Sequence, residues 1–197
     1  MEISATMVKE LRSKSGAGIM ECKQALKETD GKVEDAITFL RKKGLAKAGK
    51  KADRETGDGS IGTYIHPGNK IGVMVQLHCE TDFVANTPDF QALLKDICMH
   101  IAAAKTRFLS REEVSQEDLD REKEIFAHQA RESGKPDNII EKIVTGKMEK
   151  FYEENCLLDQ TFIKDTDITI EELVKQRIAV LGENITIGKF VRFEISR

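Results

Sequence analysis

No apolar run in this chain approaches the ~18 residues that a membrane-spanning helix needs, so no span is expected. The four cysteines, Cys22, Cys79, Cys98 and Cys156, stand far apart and form no Cys-x-x-Cys pair. That spacing supports neither a disulfide framework nor a zinc site, and isolated cysteines are most often small buried hydrophobes. The four histidines are equally dispersed. His78 and Cys79 are neighbours, but consecutive strand residues point to opposite faces, which makes them a poor catalytic or ligand pair. The spacing supports no metal site and no nucleophile–base pair, and leaves open only a triad assembled from distant parts of the chain, which nothing in the sequence suggests. Its opening, Met1-Glu2-Ile3-Ser4, has neither the basic, apolar pattern of a secretion signal nor the Arg-rich pattern of a transit peptide. A cytoplasmic location without membrane contact is therefore expected.

What is present is an ordinary globular composition, 40% hydrophobic and 33% charged over 197 residues, enough for a real core. The net charge of −3 is unevenly spread. Residues 1–55 hold 13 Lys/Arg against 9 Asp/Glu, and the remainder holds 18 against 25. A head of net +4 on a body of net −7 argues against nucleic-acid binding over the whole chain and predicts two modules, 1–55 and 56–197.

The head predicts three short helices. Ser4 is a good N-cap ahead of Ala5, Val8 and Leu11, and Gly16-Ala17-Gly18 breaks that helix. Cys22, Ala25 and Leu26 form the apolar face of a second helix over 19–29. Val33, Ala36, Ile37 and Leu40 form that of a third, expected to end at Gly44. So thin a bundle suits docking better than catalysis. Residues 41–54 then carry seven basic side chains in fourteen. They form either a phosphate-contacting strip or a solvated linker or helix, and no aromatic is interleaved for base stacking.

From Gly57 the period changes to two. Ile61, Thr63 and Ile65 alternate up to Pro67-Gly68-Asn69, and Ile71, Val73, Val75, Leu77 and Cys79 alternate back, an antiparallel hairpin. Thr87-Pro88 starts a helix striped by Phe90, Leu93, Leu94, Ile97 and Ile101. Ser110-Arg111-Glu112-Glu113 resembles a capping box for a charged helix closed by Gly134-Lys135-Pro136. A further helix carries Ile139 to Phe151, Cys156 to Ile163 is an apolar connection, and Thr169 caps a last helix through Leu181. Ile185, Ile187, Val191, Phe193 and Ile195 give a third strand. The expected fold class is α+β, with a small sheet of about three strands packed against helices. Helices readily cover one face of such a sheet. The other face, including Tyr64, Met74 and Phe190, is a candidate for pairing with a second copy.

The segment between the second strand and the helix at Pro88 does not fit these patterns. It sets Asp82 and Phe83, an acid and a large apolar ring, side by side on a short junction where neither a strand nor a helix needs them. Either Phe83 plugs the local core, or the pair serves a function on a rigidly held loop.

Two segments together resemble one family. Ser-Gly-Ala-Gly-Ile-Met-Glu-Cys-Lys-Gln-Ala-Leu at 15–26 and Thr-Asp-Phe-Val-Ala at 81–85 are similar to the hallmark segments of the bacterial-type elongation factor Ts family. The layout matches from end to end, including Gly188-Lys189-Phe190-Val191-Arg192-Phe193-Glu194, with one sheet-and-helix unit where longer members carry two. The resemblance implies guanine-nucleotide exchange on the GTPase elongation factor Tu, a binding function that is not enzymatic and needs no cofactor. It makes the head a ubiquitin-associated-like module that docks through Arg12, Ile19, Met20 and Lys23, although Ile19 and Met20 also suit a core. It implies that Phe83, with Thr81, Asp82 and Val84, disturbs the Mg²⁺ site of the GTPase, and that His66 touches the same partner. It also implies a homodimer. The competing expectation is an RNA-binding translation or ribosome accessory protein that uses the basic strip at 41–54.

Overall fold

The computed structural model describes residues 3–134 and 136–195. Lys135 of the expected helix stop lies outside them, as do residues 1, 2, 196 and 197 at the outer ends of the two expected modules. The fold is α+β, with eight α-helices, a three-stranded sheet and a two-stranded ribbon among the described residues. Two compact units divide it. One gathers the described residues of 1–60, 77–93 and 172–186, and the other those of 61–76, 94–171 and 187–197.

In the first unit, α1 (Ala5–Ser15), α2 (Ile19–Glu28) and α3 (Val33–Gly49) form the head. The Ser4 hydroxyl caps α1 by accepting from the Met7 N–H at 3.3 Å. Gly16, at φ +66°, ends it in the left-handed conformation that costs glycine least. Leu11, Cys22, Ala25, Leu26 and Ala36 are fully buried together, and Val33, Ile37 and Leu40 pack against them. The expected stripes therefore build the core they predict.

Helix α3 differs from expectation in running through Gly44 to Gly49. A glycine inside a helix costs about 1 kcal/mol relative to alanine, and the flanking Leu45, Ala46, Lys47 and Ala48 are strong helix formers. Gly44 also permits close packing: a Cβ there would lie 3.3 Å from the Ala179 Cβ on α8 (Ile170–Leu181).

The sheet comprises β1 (Asp58–Ile65), β2 (Ile71–Cys79) and β5 (Ile185–Glu194), in the order β1-β2-β5. In the second unit its inner face packs on α5 (Pro88–Ala104). A Cβ at Gly62 would lie only 2.5 Å from the Leu94 Cγ and 3.0 Å from the Cys98 Sγ, so this strand needs glycine where the helix presses on it. The Arg192 guanidinium reaches the Ala102 carbonyl from the same side. The expected make-up of the opposite face needs correction. Tyr64 and Phe190 are half-buried, because they share the phase of Gly62 and Arg192. The open face is instead formed by Ile61, Ile65, Met74, Val191 and Phe193, and Phe193 is 71% exposed.

Two other expectations change. The charged helix α6 (Gln116–Glu132) is capped by Ser115, which accepts from the Asp118 N–H at 3.1 Å and donates to its Oδ2 at 2.7 Å. The Ser110 segment leads only into a 3₁₀ turn, Arg111–Glu113. The apolar connection ends in an antiparallel ribbon of β3 (Thr161–Phe162) and β4 (Asp165–Thr169), after α7 (Asp137–Asn155). A two-residue strand is too short to show alternation. Buried His100 fixes this region: its Nδ1 accepts from the Ile163 N–H at 3.4 Å, so Nε2–H donates to Gln160 Oε1 at 2.9 Å. Burial lowers its pKa and keeps the ring neutral, a structural pin.

Candidate functional site

The Asp82–Phe83 junction is not an open loop. Asp82–Ala85 forms a single helical turn, α4, whose N-cap is Thr81. The Thr81 hydroxyl accepts from the Val84 N–H at 3.4 Å, and the Thr81 carbonyl accepts from the Ala85 N–H at 3.2 Å. At the exit, Asn86 donates its side-chain amide to the Asp82 carbonyl at 2.8 Å, and the Thr87 hydroxyl donates to the Val84 carbonyl at 2.8 Å. Gln91, one turn into α5, donates to the Ala85 carbonyl at 2.8 Å. Four polar side chains thus hold a backbone turn too short to persist by itself.

From this turn Phe83 projects into solvent at 82% exposure, whereas Ala85 is buried and Val84 half-buried. The core-plug reading of Phe83 is therefore excluded. Leaving such a ring in water forgoes about 2 kcal/mol of burial, which remains available to a partner. Asp82 is exposed beside it.

The approach to the turn is held by groups from the other end of the sequence. Glu183 Oε2 accepts from the N–H groups of Glu80 and Thr81 at 3.1 and 3.0 Å, and its Oε1 accepts from the Thr81 hydroxyl at 2.7 Å. Reciprocally, Glu80 Oε1 accepts from the Asn184 N–H at 2.6 Å. That bond, reinforced by Arg54, holds the Glu80 carboxyl below its ordinary pKa. The buried Asn184 side chain donates to the carbonyls of Ala52 and Arg54 at 3.2 and 2.8 Å. Sequence reading missed Glu80, Glu183 and Asn184, for which no local pattern exists.

The other expected contact residues of the head lie in the same compact unit as α4. Ile19 and Met20 open α2 at 55% and 76% exposure, so neither is a core residue. Lys23 stands one turn beyond Ile19 and is exposed, as is Arg12 on α1. Among the described residues neither cation has a salt-bridge partner. His66 is also exposed, at the β1–β2 turn, where its Nδ1 lies 3.2 Å from the Tyr64 hydroxyl. It belongs to the second unit.

The basic strip is largely committed within the first unit. Lys43 donates to Gln24 at 2.9 Å, Lys47 pairs with Glu21, Lys51 bonds the Gly182 carbonyl, and Arg54 reaches Glu80 at 3.4 Å. The described residues also offer no group of three His, Cys, Asp or Glu side chains that could hold a metal ion. All four cysteines are buried, and burial pushes the thiols of Cys98 and Cys156 up to about 11, far from a reactive thiolate. No described helix is long and apolar enough to cross a membrane.

Comparison with known proteins agrees with the two sequence segments. Residues 2–197 match the family model described as Elongation factor TS. The chain belongs to the elongation factor Ts family. It is 54% identical over 193 residues to the elongation factor Ts of Thermosipho melanesiensis, covering 98% of each chain. To that of Fervidobacterium nodosum it is 55% identical over 195 residues, covering 99% of each. The corresponding protein of Geobacter sulfurreducens is 54% identical over 193 residues, with 98% of this chain and 89% of that one covered. By family, the chain is a translation elongation factor.

Proposed function

We propose that the chain is a guanine-nucleotide exchange factor for elongation factor Tu, acting by occupation of space and without covalent chemistry of its own. The observation that carries this is Phe83, exposed on a backbone turn held by hydrogen bonds on both sides. Bound GDP is held largely by its phosphates and by Mg²⁺. A rigid aromatic ring forced between the elements that hold the metal shifts them at little entropic cost, having only two side-chain torsions to freeze. In this reading Thr81 and Val84 orient the turn, and Asp82 acts beside Phe83. The head, 1–55, docks on the GTPase through Ile19 and Met20. Arg12 and Lys23 steer the encounter as rim charges, and His66 adds a contact. The protein works in the cytoplasm, needs no cofactor and does not contact nucleic acid directly. The intramolecular partners of Lys43, Lys47, Lys51 and Arg54 weigh against the RNA-binding alternative.

An exchange factor must bind the nucleotide-free GTPase better than the loaded one, and linkage requires GDP and factor to weaken each other equally. Titration calorimetry of the chain against nucleotide-free and GDP-bound elongation factor Tu tests this. The affinity for the free form should be higher by about 100-fold or more, the upper range of allosteric couplings. Equal affinities would rule exchange out.

Residues 56–197 form the core and dimerisation domain in this proposal. The exposed Ile61, Ile65, Met74, Val191 and Phe193 make one apolar sheet face, and a second copy of the same face complements it isologously. Phe193→Glu should therefore yield a folded monomer in sedimentation equilibrium where the native chain sediments as a dimer. A native chain that is monomeric, or a dimer that survives the substitution, contradicts this.

A further inference from the structure

We propose that Glu183 is the positioning residue of the Phe83 turn, a role that rests on the exchange reading above. Four helical residues do not fix their own direction, so the orientation of α4 comes from what holds its two ends, and the exit is held by neighbours in sequence. Glu183 is the group from a distant part of the sequence that bonds the cap residue itself. It lies 102 positions from Thr81, just past Gly182 at the end of α8, and takes both the backbone N–H and the hydroxyl of Thr81.

The hydroxyl bond also sets the polarity of the cap. A threonine hydroxyl has one proton. An ionised carboxylate only accepts, so Glu183 Oε1 takes that proton and leaves a lone pair of Oγ1 for the Val84 N–H. Through Oε2 the same carboxylate fixes the two peptide groups at Glu80 and Thr81, at the end of β2. The reciprocal bond from the Asn184 N–H to Glu80 makes the clamp two-sided, and buried Asn184 ties it to the carbonyls of residues 52 and 54. Charge-assisted bonds of this kind are stronger than neutral ones, and three converge on one side chain. Glu183 has no need to touch the partner. It decides where the Phe83 ring stands when the partner arrives.

A double-mutant cycle tests this, with labelled-GDP release from elongation factor Tu measured over a range of factor concentrations. Glu183→Ala should lower the maximal release rate about tenfold. The half-saturating concentration should stay within about twofold, because Ile19 and Met20 still dock. Placed on Phe83→Ala, the same change should alter the rate by less than about twofold, because a positioning residue has no effect once the positioned ring is gone. Should Glu183→Ala not fold, Glu183→Gln carries the same cycle. It keeps the shape and one acceptor oxygen but presents an amide N–H₂ to the Thr81 hydroxyl, and about a threefold loss is expected. A folded Glu183 variant with the native rate, or one that lowers the Phe83→Ala rate by its full factor, overturns the proposal. If Phe83→Ala itself keeps the native rate, the wedge role of Phe83 fails, and the positioning role falls with it. If Phe83→Ala is impaired and the Glu183 variants are not, only the positioning role fails.

Discussion

Phe83→Ala should slow factor-stimulated GDP release by about 100-fold, the loss typical of an aromatic hot spot worth 2–3 kcal/mol. The melting temperature should stay within about 1 °C, because substitutions of exposed residues away from caps and cores seldom change stability. The combination is the informative part. A buried aromatic truncated to alanine costs about 3–5 kcal/mol of stability, so a core plug would lose fold and function together. At 82% exposure Phe83 contributes almost nothing to the fold. The turn that carries it keeps its bonds in the variant, since Thr81, Asn86, Thr87 and Gln91 all hold backbone or hydroxyl atoms and none holds the ring. Stopped-flow release of labelled GDP and a thermal melt of the same sample check both halves.

The second large effect belongs to the head. Changing Ile19 and Met20 together to alanine should raise the half-saturating factor concentration by about 30-fold and leave the rate at saturation unchanged. Docking contacts made equally before and during nucleotide release supply uniform binding, which a higher concentration replaces. Both side chains are exposed at the start of α2, and the core below them, Leu11, Cys22, Ala25, Leu26 and Ala36, does not include them. A fall in the saturated rate of this variant would instead place Ile19 and Met20 in the release step itself.

The way these sites could be read from sequence differs from residue to residue. The head was legible because its apolar stripes repeat at helical spacing and Gly16 stops α1 where the pattern stops. Phe83 was legible as an anomaly, a large ring where no periodic pattern needs one. Whether it filled the core was not, because spacing carries no information on what lies above a residue. The faces of the sheet were misread for a related reason. On β1 the inner position is Gly62, whose missing side chain makes room for Leu94 and Cys98, so the apolar alternation of Ile61 and Ile65 marks the open side. The end of α3 was misplaced because Gly44 looks like a stop and acts as a packing surface against Ala179. Glu183 was beyond reach altogether, since only the folded chain brings it to Thr81.

In the proposed function the chain presents one ring rigidly and docks through a small apolar patch on its head. The measurement that tests this most directly is the release of labelled GDP from elongation factor Tu as the native chain is added. The rate should rise with chain concentration to a plateau at least about 100-fold above spontaneous release, in line with the loss expected on removing the ring. A release rate independent of the chain at every concentration, with the chain shown to be folded, would contradict the account.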